Sequence, residues 1–256
     1  PGPVMVEIPS DVANQEVSND LVETYIPSKR IISKANDDDV LRAAKLLIQS
    51  KNPLIYAGQG ILYAGASEEL TELAELTNIP VTTTMAGKGG IDERHPLSLG
   101  SSSIVMNGAV RHYMLNSDTV LAVGTSLTKH GMITTIPDGK KIIHAVNDTK
   151  DIGNYYDPEI GLLGDAKLVL NQLIEACKDL ITSQNGRLSP EDEIKHLKDA
   201  WLQDWDKKLN SSETPMTPYR VIGEFMNIVD PSQTIVTHDS GSPRDQIMPF
   251  YTSGGP

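Results

Sequence analysis

Residues 53–100 read PLIYAGQGILYAGASEELTELAELTNIPVTTTMAGKGGIDERHPLSLG. Two short apolar runs, Leu54 to Ala57 and Pro80 to Thr84, bracket a segment in which Leu70, Leu73, Ala74 and Leu76 recur at the spacing of one helix face. Strand, helix and strand in that order make a βαβ unit. Gly58-Gln59-Gly60 follows the first run and Ala86-Gly87-Lys88-Gly89-Gly90 follows the second, so both strands run out into glycine at the same end of a parallel sheet. In open α/β sheets ligands bind at that end.

Working toward the N-terminus, Asn36 with Asp37, Asp38 and Asp39 supplies an N-cap and acidic first turn. Val40, Ala43, Ala44, Leu47 and Ile48 follow as one stripe, predicting a helix that ends near Ser50. Toward the C-terminus, Ile104, Val105, Ala109, Tyr113 and Met114 predict a helix interrupted by Asn107-Gly108. Strands are predicted over Thr119 to Val123, ending in Gly124-Thr125-Ser126, over Lys141 to Val146, ending in Asn147-Asp148-Thr149, and over Glu159 to Leu163. Gly164-Asp165 caps a helix carrying Val169, Leu170, Leu173, Ala176, Cys177 and Leu180. The alternation predicts an α/β domain over residues 36–182, a mainly parallel sheet flanked by helices.

The flanks are different. Val4, Val6 and Ile8 alternate as a strand would, either opening a domain or closing one whose beginning is absent; residues 13–35 lack periodicity and read as a linker. Residues 183–215 read as a second linker holding a helix, with Ser189 as N-cap and Pro190 at the first helical position. Ile194, Leu197, Trp201, Trp205 and Leu209 line one face of that helix and need covering, by the chain's own core or by a partner. Thr217-Pro218 starts a helix burying Val221, Ile222, Phe225 and Met226; a strand over Thr234 to Thr237 leads to a loop, Gly241-Ser242-Pro243-Arg244. One helix and one strand bury too little surface to fold alone, so residues 216–256 read as the incomplete start of a second α/β domain.

The 256 residues carry a net charge of -12, which argues against nucleic acid as a partner because that affinity needs clustered Lys and Arg. The single cysteine, Cys177, excludes an intramolecular disulfide framework and sits among apolar neighbours as a core residue. No apolar run approaches the ~18 residues of a membrane span, and a cytoplasmic protein is expected. The six histidines show no His-x-x-x-His spacing, and Gly-x-Ser-x-Gly is missing, which argues against a zinc site and a serine hydrolase elbow.

Taken together the motifs carry a resemblance that covers nearly the whole chain. Glu7-Ile8-Pro9-Ser10-Asp11-Val12, Ala57-Gly58-Gln59-Gly60, Pro80 to Thr84, Gly87-Lys88-Gly89, His95-Pro96-Leu97, Gly124-Thr125 and Gly164-Asp165-Ala166-Lys167 stand in order and at matching spacing. The sequence resembles thiamine diphosphate-dependent enzymes of the acetolactate synthase and pyruvate oxidase type. Residues 1–12 match the end of their pyrimidine-binding domain, 36–182 their Rossmann-like central domain, and 216–256 the start of their diphosphate-binding domain. The resemblance implies a parent enzyme that uses thiamine diphosphate and Mg to decarboxylate or ligate a 2-oxo acid, as a homodimer or homotetramer. It also implies that the activating glutamate and the Gly-Asp-Gly metal segment lie in domains of the same enzyme outside this chain, so no residue here is assigned as catalytic and the chain alone is expected to be inactive.

Some members of the family bind FAD in the central domain, one group binds ADP, and others bind neither. The matching positions are Gly58, Gln59 and Gly60; Thr84, Met85, Gly87 and Lys88; Gly124, Thr125 and Ser126; Asn147 and Asp148; and Asp165, while Leu127-Thr128-Lys129-His130 stands where the acetolactate synthases carry a basic and acidic run. Asp148 would meet a ribose hydroxyl, and Lys88 or His130 a phosphate or adenine; the alternative is that the glycines are only turns and Lys88 a surface lysine. The loop Gly241-Ser242-Pro243-Arg244 stands at the position beside the cofactor diphosphate: Gly241 matches the pattern while Ser242, Pro243 and Arg244 depart from it, leaving contact through backbone N–H and the Ser242 hydroxyl, although Pro243 has no N–H to offer, and an ordinary loop would be written the same way. Two further readings stay open, a stand-alone nucleotide-binding module and a structural spacer docking through its Trp201 face.

Overall fold

A computed structural model describes residues 4–27, 31–129, 131, 134–181 and 187–256. The chain divides into two units, residues 1–32 and residues 33–256. The first holds two single-turn helices, α1 (Ser10–Ala13) and α2 (Asn19–Glu23), with no buried residue in either. The expected strand through Val4, Val6 and Ile8 is not formed, and all three side chains are exposed. A strand is held by ladder bonds to a neighbour, and no strand ladder among the described residues includes this segment. Residues 13–35 are not uniformly extended either, because the Ser18 side chain accepts from Asp20 N and starts α2.

The second unit is built on six strands: β1 (Pro53–Ala57), β2 (Val81–Thr84), β3 (Ser98–Ser102), β4 (Thr119–Val123), β5 (Lys141–Val146) and β6 (Ile160–Leu163). Every pairing is parallel and the order is β3-β2-β1-β4-β5-β6. Central strands β1 and β4 are buried along their whole length, as their uninterrupted apolar sequences require of a strand covered on both faces. The sheet reverses direction at β1, which pairs with β2 on one side and β4 on the other. That is the topological switch point. β3 was not anticipated: Ser-Leu-Gly-Ser-Ser has a poor strand composition, yet all five residues are buried.

Two helices, α3 (Asp37–Gln49) and α5 (Ser67–Thr77), both pack on a third, α7 (Ala166–Ile181). Asn36 caps α3 as expected, accepting from Asp38 N and Asp39 N. The extra turn α4 (Gly60–Ala64) is too short to show periodicity in sequence. Asn107-Gly108 does not interrupt a helix but starts one: the Asn107 side chain accepts from Val110 N at the head of α6 (Gly108–Asn116), and Ile104 and Val105 lie outside it. Cys177 is buried, and burial pushes its thiol up to about 12, so it is a core residue and not a nucleophile.

Beyond the sheet, α8 (Glu191–Leu209), α9 (Pro218–Ile228) and α10 (Ser242–Ile247) surround a second, smaller core of Leu209, Ile222 and Phe250. The stripe on α8 is covered by the chain itself: Trp201 lies 4.9 Å from Phe250 and Trp205 5.0 Å from Tyr219, ring centre to ring centre. Two expectations fail here. Val221 faces outward on α9, and Thr234 to Thr237 is not a strand, Ile235 being 95% exposed with no ladder partner. The expected loop at Ser242 is instead the first turn of α10, with Pro243 near its start, where a missing N–H costs no helical bond.

Arg187 joins α3 to α5. Its guanidinium donates to Thr77 O (3.1 Å), Leu47 O (3.4 Å) and Ser50 O (2.5 Å), carbonyls at the two helix C-termini, while burial holds its pKa below the ordinary value. A cation there meets the negative ends of two helix dipoles. Arg187→Ala is expected to cost about 2 kcal/mol and to lower the melting temperature by about 6 °C; calorimetry of the variant measures it, and Arg187→Lys should recover part of the loss.

Candidate functional site

The carboxyl ends of β1, β2 and β4 meet in a cluster of four glycines. Gly58 N donates to Val123 O (2.8 Å), Gly60 N to Gly124 O (2.8 Å) and Gly124 N to Ala145 O (2.9 Å). A Cβ on Gly58 would lie 2.3 Å from Gly124 O, one on Gly60 2.7 Å from Gly124 Cα, and one on Gly87 2.8 Å from Ala57 O. The three loops therefore touch backbone to backbone, and Gly124 holds a left-handed φ of 65°. These glycines are needed for the packing itself, and the N–H groups of Gly58 and Gly60 are already satisfied inside the chain.

What faces outward at the switch point is side chain. Gln59 is exposed, and Thr125 and Ser126 are half-buried beside the glycines. Thr125 Oγ1 accepts from Leu127 N, and Ser126 Oγ shares a hydrogen with Thr128 Oγ1 at 2.8 Å. Thr84 caps the short turn Met85–Gly87, its hydroxyl accepting from Gly87 N (3.0 Å). A ligand at this end would meet these hydroxyls and the Gln59 amide, while the N–H groups of Gly58, Gly60, Gly87 and Gly124 are already engaged.

Several expected residues lie elsewhere. Asp148 is exposed after β5 and caps its own turn, accepting from Lys150 N (3.0 Å). Asp165 is buried between β6 and α7, accepting from Lys167 N and donating its own N–H to Ser33 O, three strands from β1. Gly241 and Ser242 open α10, with nothing within 4 Å of a Cβ placed on Gly241. His130 lies outside the described residues. Lys88 is not a surface lysine: its Nζ is 2.5 Å from Glu93 Oε2, with the two side chains 15% and 4% exposed. Beside Lys88 and Met85 opens a cleft of about 620 Å3, also lined by Thr234, His238, Tyr251 and Ser253.

Two buried residues were missed. Glu93 stands in the charged run Asp92-Glu93-Arg94, which looks solvated, yet its carboxylate takes Lys88 Nζ, Ser101 Oγ (2.8 Å) and Ser253 N (2.9 Å). His144 sits inside the apolar run of β5, and that position was its signal. Its Nε2 lies 2.8 Å from Thr125 O; a carbonyl only accepts, so Nε2 carries the hydrogen and His144 braces the loop after β4. Burial lowers the His144 pKa, partly offset by the bond to Thr125 and by Asp151, so the ring is neutral at pH 7.

Comparison with known proteins fits this geometry. The family model described as "Thiamine pyrophosphate enzyme, central domain" matches residues 40–173, more than half of the chain and the whole of its sheet. The chain belongs to the thiamine pyrophosphate enzymes. Among curated relatives, a "probable acetolactate synthase large subunit" from Methanococcus aeolicus is 31% identical over 275 aligned residues, covering 100% of this chain and 45% of the relative. Its counterpart from Methanocaldococcus jannaschii is 32% identical, covering 100% and 44%. A glyoxylate carboligase from Escherichia coli O157:H7 is 30% identical, covering 88% and 38%. The chain thus spans less than half the length of these relatives. A solved thiamin diphosphate-dependent enzyme from Mycobacterium smegmatis superposes with a TM-score of 0.52 at 20% identity, over 65% of this chain and 32% of that one, a likeness of fold.

Among the described residues no group of three or more His, Cys, Asp or Glu could hold a metal ion. The outward groups at the switch point are the hydroxyls of Thr84, Thr125 and Ser126 and the amide of Gln59.

Gly58→Ala is expected to cost about 3 kcal/mol, because backbone and not a movable side chain blocks the new methyl group. Gly65→Ala, where φ is 59° but nothing lies within 4 Å, should cost only about 1 kcal/mol; urea unfolding of both compares them. For His144 the folded pKa lies below the unfolded one. Its contribution is therefore full above about pH 6.5 and is lost as pH falls toward the folded value. The stability gap between wild type and His144→Asn should narrow between pH 7 and pH 5, as denaturation at each pH will show.

Proposed function

We propose that this chain is the middle portion of a thiamine diphosphate-dependent enzyme of the acetolactate synthase type, which decarboxylates or ligates a 2-oxo acid. The observation that carries the reading is the family match over the sheet, together with relatives named acetolactate synthase large subunit that align with the chain from end to end. In that reading thiamine diphosphate and Mg are held by the rest of the enzyme, with Gly241 and Ser242 contributing beside the diphosphate. The cofactor stabilises the carbanion left when CO2 departs, and the protein orients it. This chain's part is the scaffold and a nucleotide site at the carboxyl ends of β1, β2 and β4. Gln59, Thr84, Thr125 and Ser126 are proposed to contact FAD or ADP there, over a floor made by Gly58, Gly60, Gly87 and Gly124. The assembled enzyme is proposed to be a cytoplasmic homodimer or homotetramer; among the described residues no helix is long and apolar enough to cross a membrane.

The test compares the isolated chain with the product of the full reading frame. With pyruvate, thiamine diphosphate and Mg, the full product is expected to release CO2 and the chain alone to give none; turnover by the chain alone would overturn the reading. Calorimetry of the chain with FAD and with ADP tests the nucleotide part separately. Binding that weakens about tenfold in Thr125→Ala, a loss of ~1.4 kcal/mol, supports it, and no binding of either nucleotide removes it.

A further inference from the structure

Lys88 and Glu93 also line a second cavity, of about 70 Å3, together with Ser101, Asn107, Lys198 and Trp201. This is room for about two waters or one small ion, far too little for a nucleotide. The Glu93 carboxylate is spent on Lys88, Ser101 and Ser253. Lys198, on α8, is a second cation at the same cavity. Its Nζ lies 3.5 Å from the backbone oxygen of Glu93, and among the described residues it has no carboxylate within ion-pair distance. Burial holds the Lys198 amine below its ordinary pKa and Lys88 adds repulsion, while Glu93 acts in the opposite sense.

Two ammonium groups and one carboxylate leave a positive charge uncompensated here, in a chain whose net charge is -12. A buried ammonium is stable only when paired, or else it gives up its proton. We propose that the cavity binds one small monovalent anion, of halide or formate size, held by Lys198 Nζ beside the Lys88–Glu93 pair. Lys88 Nζ also reaches Met248 O (3.4 Å), Glu93 N donates to Ser253 O (3.0 Å) and the Glu93 carboxylate accepts from Ser253 N (2.9 Å), so the anion completes the charge balance where residues 248–253 are fastened to the sheet. The proposal is independent of the 2-oxo acid reading.

The chain is titrated with sodium chloride, ionic strength being held constant with sodium gluconate, whose anion is too large to enter. A rise in melting temperature that grows with the logarithm of chloride concentration and reaches about 3 °C at ten times the dissociation constant is expected. It should vanish in Lys198→Met and persist in Lys198→Arg. In crystals of the wild-type chain grown with sodium bromide, an anomalous peak is expected in contact with Lys198 Nζ. No halide-specific rise, a full rise retained in Lys198→Met, or bromide crystals without that peak would each overturn the proposal. Should Lys198→Met fail to fold, the two wild-type measurements decide.

Discussion

At the carboxyl ends of β1, β2 and β4, three loops cross with main chain against main chain, and the spacing of the strands beneath depends on residues that have no side chain. Gly58, Gly60 and Gly124 interlock through two hydrogen bonds of 2.8 Å, and Gly87 closes against Ala57 and Gly58. Any Cβ there would meet peptide atoms that are fixed by the sheet, in contrast to the open surroundings of Gly65. The crossing also aims Thr125 and Gln59 outward at the point where the sheet changes direction. His144 holds the same loop from the neighbouring strand.

Legibility in the sequence followed how local each signal was. β4 and β5 appear at the boundaries read from their apolar runs, and α3 begins at the Asn36 cap, since both signals belong to the segment itself. β3 escaped because its serines and glycine are buried by neighbours the sequence does not name. The strand expected near Val6 had the right alternation and the one near Ile235 the right residue types, but neither had a partner edge. At the site, the positions of the glycines were legible and their role was only half so. Glycine after a strand signals close approach, but whether a ligand or the chain's own backbone makes that approach is a tertiary fact. Glu93 was hidden for the same reason: its partner Ser253 is 160 residues away.

The second unit is held together by polar links at its edges as well as by its apolar core. Arg187 ties the ends of α3 and α5, and Glu93 ties the turn after β2 to residues 248–253. Each link buries a charge and supplies it with specific partners, which fixes geometry even where it adds little net stability.

The aromatic packing around Phe250 has a practical consequence for watching this molecule. The chain has two tryptophans, Trp201 and Trp205, and both lie on α8 against the smaller core. Intrinsic indole emission therefore reports mainly on that core, and on the six-stranded sheet only where Trp201 borders the cavity beside β3. Amide-based signals weigh the sheet instead, so a mismatch between the two optical curves would reveal the smaller core melting before the larger.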